Sequence, residues 1–213
     1  MNMWKTSAVA VALLSGVSAF AQAPQVVYDN SRIYSDKTFS ISGDTLEVGD
    51  ELRFSPGGPG VITNAKFEYY LPTGSGNETV AFSLRQIVDG QVGDVLFQTA
   101  PFSITSGATP FSVEIPDIFA VYTNPNVLMS LRFGGLEGAE TAGLLFYLGP
   151  DTGSSLNDFW VAGPSGWARA SVPDASGNFG FQVTAIVPEP GTWALMIGGL
   201  GFLGALGLRR RKA

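Results

Sequence analysis

What most constrains this chain is the length of its apolar runs. From Val26 to Val187 they are short, often alternating, and separated by turn residues, and none keeps a 3.6-residue spacing through three helical turns. Alternation places one set of side chains on one face of an extended strand, whereas a helix needs apolar residues at i, i+3, i+4 and i+7. In Ala65, Phe67, Tyr69 and Leu71 alternate residues are apolar; in Val80, Phe82, Leu84 and Ile87 the alternation holds and then shifts, as at a β-bulge. The pattern predicts strands over Lys37 to Ile41, Thr45 to Phe54, Ile62 to Leu71, Thr79 to Val88 and Val95 to Thr99. It predicts five more over Phe111 to Ile115, Val127 to Phe133, Leu144 to Leu148, Phe159 to Ala162 and Phe179 to Val187. Between the runs stand Ser55 to Gly60, Pro72 to Asn77, Asp89-Gly90, Thr123 to Asn126 and Asp174 to Asn178, all rich in turn-forming Gly, Pro, Asn and Asp. The expected fold class is all-β: a two-sheet β-sandwich, jelly-roll-like, occupying residues 22–187.

Two missing residue types narrow the chemistry. The 213 residues include no cysteine and no histidine, which removes disulfides, thiolate nucleophiles, Cys/His zinc sites and any Ser-His-Asp triad. Charge narrows the partners. Between Gln22 and Val187, 17 Asp and Glu stand against 7 Lys and Arg, a balance that repels phosphate backbones and anionic head groups, so no nucleic-acid partner is expected.

The two ends have a different character. Lys5 is followed by a mostly apolar stretch from Ala8 to about Val17 and then by Ser18, Ala19, Phe20 and Ala21. A basic start, a short apolar run and small residues at Ala19 and Ala21 make residues 1–21 a secretory signal peptide, cut by signal peptidase after Ala21 or, as second choice, after Ala23. With both ends set aside about 165 residues remain, the size of one domain with a substantial core. At the other end Pro188, Glu189 and Pro190 precede an uncharged stretch from Ala194 to Leu208 and then Arg209, Arg210, Arg211 and Lys212. A helix from Gly191 to Leu208 would reach about 27 Å at ~1.5 Å per residue, enough for a hydrocarbon core. Trp193 suits the outer interface and the basic tail at 209–212 the cytoplasmic face, so the domain would lie outside and the tail inside.

This tail resembles a PEP-CTERM sorting signal, carried by exported proteins of Gram-negative bacteria that make extracellular polysaccharide. Pro188-Glu189-Pro190 matches the signature tripeptide, about 193–208 the membrane helix, and Arg209, Arg210, Arg211 and Lys212 the basic stop that holds the tail in the membrane. The resemblance covers residues 188–213. It implies cleavage near Pro190 by exosortase, an integral-membrane cysteine peptidase, and hence a protein held in the inner membrane before processing and then released or transferred to the cell surface or extracellular matrix. The prolines keep the tripeptide extended, the form a peptidase cleft can grip. Residues 27–30 (Val-Tyr-Asp-Asn), 48–52 (Val-Gly-Asp-Glu-Leu), 67–70 (Phe-Glu-Tyr-Tyr) and 153–160 (Gly-Ser-Ser-Leu-Asn-Asp-Phe-Trp) are also similar to ectodomains of other sorting-signal proteins. That second resemblance implies a sandwich and no particular chemistry.

Three chemistries are weighed against a plain structural role. Acid–base hydrolysis of a glycoside needs two carboxylates across a cleft, and Asp50, Glu51, Glu68, Glu78, Asp89, Asp151 and Asp158 supply many pairs without fixing a spacing. Structural calcium would draw on loop oxygens, with Asp151, Asn157 and Asp158 the first candidates. Sugar binding would use Trp160 and Trp167, which lie near Asn157, Asp158, Phe159 and Arg169. The expectation is a non-enzymatic structural or adhesive protein of the cell surface or extracellular polysaccharide matrix, without a cofactor. A carbohydrate-binding module stands second and a glycoside hydrolase third.

Overall fold

A computed structural model describes residues 22–43, 46–172 and 177–188. The expected signal peptide at 1–21, Glu189 and Pro190 of the tripeptide, the expected helix at 193–208, and Arg209, Arg210, Arg211 and Lys212 lie outside the described residues. Pro24–Ala185 forms one compact unit. Among the described residues there is no helix, and the chain runs through sixteen strands. The first eight are β1 (Gln25–Asp29), β2 (Tyr34–Ile41), β3 (Glu47–Arg53), β4 (Gly60–Tyr70), β5 (Thr79–Val88), β6 (Gln91–Gln98), β7 (Phe102–Ser103) and β8 (Phe111–Ile115). The rest are β9 (Ala120–Tyr122), β10 (Asn126–Gly134), β11 (Ala142–Tyr147), β12 (Ser154–Ser155), β13 (Phe159–Gly163), β14 (Gly166–Ala170), β15 (Asn178–Phe179) and β16 (Phe181–Ile186).

These strands make two antiparallel sheets in a sandwich. In the first, β11 pairs with β2 and β4, and β4 pairs in turn with β8 and, further along, β9. β16 lies between β4 and β1, and β15 pairs with β11. The second sheet has the order β14-β13-β3-β10-β5-β6, with β12 added to β3 and β7 to β5.

Alternation decides what meets between the sheets. Tyr69, Phe67 and Ala65 of β4 point inward, as do Phe82 and Leu84 of β5 and Met129, Leu131 and Phe133 of β10, and all are buried. Rings join the layers: Phe67 stacks on Phe82 with centroids 6.1 Å apart, Tyr69 lies 6.4 Å from Phe133, and Phe159 meets Phe39, Phe146 and Phe179 at 4.8, 5.8 and 5.4 Å. Each such ring removed from water contributes about 1.5–3 kcal/mol.

Local chemistry explains the boundaries. Asp89 and Gly90 both have positive φ, 51° and 72°, and form the two-residue turn of the β5–β6 hairpin; such a type I′ loop matches strand twist and selects Asp-Gly. The run expected as one strand from Phe179 to Val187 is broken at Gly180 into β15 and β16. A Cβ at Gly180 would come within 2.5 Å of the Tyr147 ring, so this position has room only for glycine.

Candidate functional site

The outward face of the second sheet is not a simple solvated face. Register places Trp160 of β13 opposite Gly49 of β3 and Arg169 of β14, and Trp167 of β14 opposite Ala162 of β13. On the same face, Glu51 of β3 lies opposite Leu128 of β10, which lies opposite Arg85 of β5. Ile87, Leu128 and Trp160 form an apolar cluster there, all buried, with Val92 and Trp167 packed against it. Leu128 is wholly buried although it faces away from the inter-sheet core, because this second layer covers it.

Two arginines lie over the two indoles. The Arg169 guanidinium is 4.6 Å from the Trp160 ring centroid, and that of Arg85 is 5.6 Å from the Trp167 ring, both within cation–π range. Arg169 donates to Glu51 Oε2 at 2.6 Å and to both carboxylate oxygens of Asp158 at 2.9 Å, while Trp160 Nε1 also donates to Glu51 Oε2, at 3.4 Å. Burial presses the Arg169 pKa down, but Asp158 and Glu51 outweigh it and the net shift is upward. Arg85 Nε lies 3.6 Å from Glu47 Oε1, and that oxygen accepts a 2.7 Å bond from the Ser130 hydroxyl.

Beside this layer opens a pocket of about 240 Å³ lined by Glu51, Arg53, Asn126, Ser154, Ser155 and Leu156. The lining combines a carboxylate, a guanidinium, an amide and two hydroxyls with one exposed apolar wall, Leu156. Beneath it Ser155 connects to a polar cluster in the core. Tyr28 donates to Ser155 Oγ at 3.2 Å, Ser155 donates to Asn178 Oδ1 at 2.5 Å, and Asn178 Nδ2 reaches Asn157 Oδ1 at 3.5 Å. The Phe179 backbone is held at both of its polar groups: its N–H donates to Asp50 Oδ2 at 3.3 Å and its carbonyl accepts from Asn30 Nδ2 at 3.1 Å. Burial pushes the Asp50 pKa well above its ordinary value, with Asp158 and Glu51 adding and the N–H groups of Phe179 and Glu51 opposing. Tyr28 is likewise shifted upward, by burial first and then by Asp50.

The sequence candidates fall in several places. Trp160 is only 4% exposed and Phe159 belongs to the inter-sheet core, so neither offers an open ring face; Trp167 is half-buried. Asp151 pairs with Arg32 at 3.2 Å, Asn157 with Asn178, and Asp158 with Arg169. Among the described residues no three or more Asp, Glu, His or Cys gather as a metal site. Asp50 and Glu51, neighbours in sequence, point to opposite faces of the sheet. Glu68 accepts from the Tyr147 hydroxyl, Glu78 accepts from the N–H groups of Ser75 and Gly76, and Asp89 forms the hairpin turn. Glu51 is the one carboxylate lining the pocket.

Arg85, Glu47, Leu128 and Ile87 were not singled out from sequence as site residues, nor were Tyr28, Asn30, Ser155 and Asn178. One signal was present: Val127, Leu128 and Met129 are consecutive apolar residues, the mark of a strand covered on both faces. Three of the four stretches noted above, 27–30, 48–52 and 153–160, converge on the polar cluster through Tyr28, Asn30, Asp50, Ser155 and Asn157.

Fold and site together define an all-β sandwich protein with an apolar layer on the outer face of its second sheet. Residues 187–212 match the family described as the PEP-CTERM protein-sorting motif. The chain therefore carries the recognition signal of exosortase and is an exported protein processed at the membrane. No curated protein matches the chain. Among solved structures, that of the infectious bursal disease virus Gt strain aligns with a TM-score of 0.32 and 10% identity, over 77% of this chain and 36% of that one. The VP2 subviral particle of infectious bursal disease virus aligns at 0.30 and 12%, over 79% and 43%. The chain spans less than half the length of either, and likenesses this weak bear on neither function nor topology.

Proposed function

We propose that this protein is a non-enzymatic structural or adhesive component of the cell surface or extracellular polysaccharide matrix, exported by the segment at 1–21 and sorted through Pro188-Glu189-Pro190. The observation that carries the reading is the sorting motif at 187–212, placed directly after the last strand of a self-contained sandwich. The helix at about 193–208 and Arg209 to Lys212 would hold the precursor in the inner membrane of a Gram-negative cell until an exosortase-type peptidase acts. The strand orders β2-β11-β4-β8 and β3-β10-β5-β6 support a jelly roll, in which two Greek keys wrap one core and leave short edges. That suits a module outside the cell that lacks disulfides. Retention is the test: in a host with the peptidase, the processed protein should sediment with extracellular polysaccharide and be released when that polysaccharide is digested. Processed protein that stays free in the medium contradicts a matrix role.

Carbohydrate binding is the second reading, favoured by the pocket beside Glu51 and by the half-buried Trp167 under Arg85. A binding site of this kind needs convergent donors and acceptors with an apolar wall, which the lining provides. Trp160, beneath Arg169, would support such a site from below without touching the sugar. A hydrolase has less support, because Glu51 has no second carboxylate in the pocket and is held by Arg169.

A further inference from the structure

The sorting motif begins where the fold ends. β16 stops at Ile186, Val187 is 4% exposed, and Pro188 is half-buried, so the tripeptide follows the last strand with one residue between them. A peptidase that grips an extended segment pairs with its backbone as an added strand would, using N–H and C=O groups on both sides of the bond it cuts. Pro188 and Pro190 have no N–H to offer. Immediately upstream of the tripeptide, the N–H groups are therefore those of Val187, Ile186 and Ala185. That end of β16 is already committed: it lies between β4 and β1, with Ala185 opposite Gln25 and Thr184 opposite Val26. Thr63 Oγ1 also donates to the Thr184 carbonyl at 3.3 Å.

The β1–β16 edge is divided in a way that lets its end open alone. The register shifts between Val26 and Tyr28, so the pairs Gln25–Ala185 and Val26–Thr184 stand apart from Tyr28–Val183 and Asp29–Gln182. Val27 and Tyr28 are fully buried, which anchors the inner half, whereas Val26 is 43% exposed. Terminal strand segments of this kind open at low free energy while the core stays closed.

We propose that the processing peptidase takes hold of the end of β16, so that β1 and the peptidase compete for its backbone at Thr184 and Ala185 and opening of this edge limits the processing rate. The inference rests on the reading of 187–212 as a sorting signal.

The test is a removable staple in the full chain, expressed where an exosortase-type peptidase is present. The protein has no cysteine of its own, so Gln25→Cys with Ala185→Cys, or Val26→Cys with Thr184→Cys, introduces one defined pair at directly opposed positions. Processing is followed in isolated membranes by mass spectrometry of the C-terminus, with and without reductant. Relative to the cysteine-free parent under the same conditions, the oxidised protein should be processed about tenfold more slowly, or worse, than the same protein reduced, because the local opening is blocked. A flexible Gly/Ser insert of six residues between Val187 and Pro188 should restore the rate in the stapled form, since the cleft then meets a free segment. Equal rates for oxidised and reduced forms of both staples would overturn the inference. The unstapled Pro188→Ala, Glu189→Ala, Pro190→Ala chain separates this from the underlying reading: if it is processed like the parent, the sorting reading itself fails. If it is blocked while the staples have no effect, only the competition fails.

Discussion

Asp50 is a carboxyl group with no exposure, on the inward face of β3, and its Oδ1 has no hydrogen-bond partner among the described residues. Burial is the main cause of its raised pKa, and the acidic groups nearest in effect, Asp158 and Glu51, act in the same direction. Below about pH 4 the group is protonated in both folded and unfolded chains and does not affect their balance. As pH rises, the unfolded chain gives up the proton while the folded chain keeps it, so stability falls until pH passes the folded pKa. The signal should be clean, because a chain without histidine or cysteine has no other side chain of ordinary pKa titrating near neutrality. Asp50→Asn should remove this downward slope, so that the variant gains on the parent protein steadily from about pH 4 upward. Urea unfolding across pH 4 to 9 measures it, and parallel stability curves would show that Asp50 is ionised in the fold.

At the scale of elements, close approach of backbones sets one demand that packing cannot relax. A Cβ at Gly49 of β3 would fall 2.6 Å from Ser130 Cβ and also meet the Met129 carbonyl oxygen of β10, neither of which is a flexible side-chain end. Gly49→Ala should therefore lower stability by about 1–3 kcal/mol, as overpacking does, and an unchanged urea midpoint would contradict the close approach. The same scale shows what was legible beforehand. β5 and β8 coincide with the runs Thr79 to Val88 and Phe111 to Ile115, because turn residues bound the first and alternation marks the second. β1, β7, β9, β12 and β14 were not anticipated. β7 and β12 are two residues each, too short to show a period, and Gly166-Trp-Ala-Arg-Ala of β14, the second arm of a hairpin with β13, is an edge strand with no apolar alternation of its own. For the site, Trp160 and Trp167 were visible as aromatic residues beside Arg169. That a guanidinium lies over each ring was not, because Arg85 comes from a strand more than seventy residues earlier in the sequence.

At the scale of the whole molecule, an acidic all-β sandwich is followed in sequence by the sorting motif at 187–212. Its inter-sheet core and its outer layer of Trp160, Leu128 and Ile87 account for the strands that run through both. The 17 acidic residues against 7 basic ones between Gln22 and Val187 would repel phosphate backbones and anionic head groups, and the signal for export lies in the motif at 187–212. In the proposed function, Pro188, Glu189 and Pro190 are read by a peptidase while the apolar run and basic residues hold the precursor. Changing all three to Ala leaves the run from Ala194 to Leu208 and its basic stop untouched, so export should proceed and release should fail. The direct measurement is membrane fractionation with mass spectrometry of the C-terminus, in a host with the peptidase. Parent protein should end near Pro190, and the triple-Ala form should accumulate in the inner membrane with Leu208 still attached. Parent protein that retains Leu208 at steady state, and fractionates identically to the triple-Ala form, would contradict it.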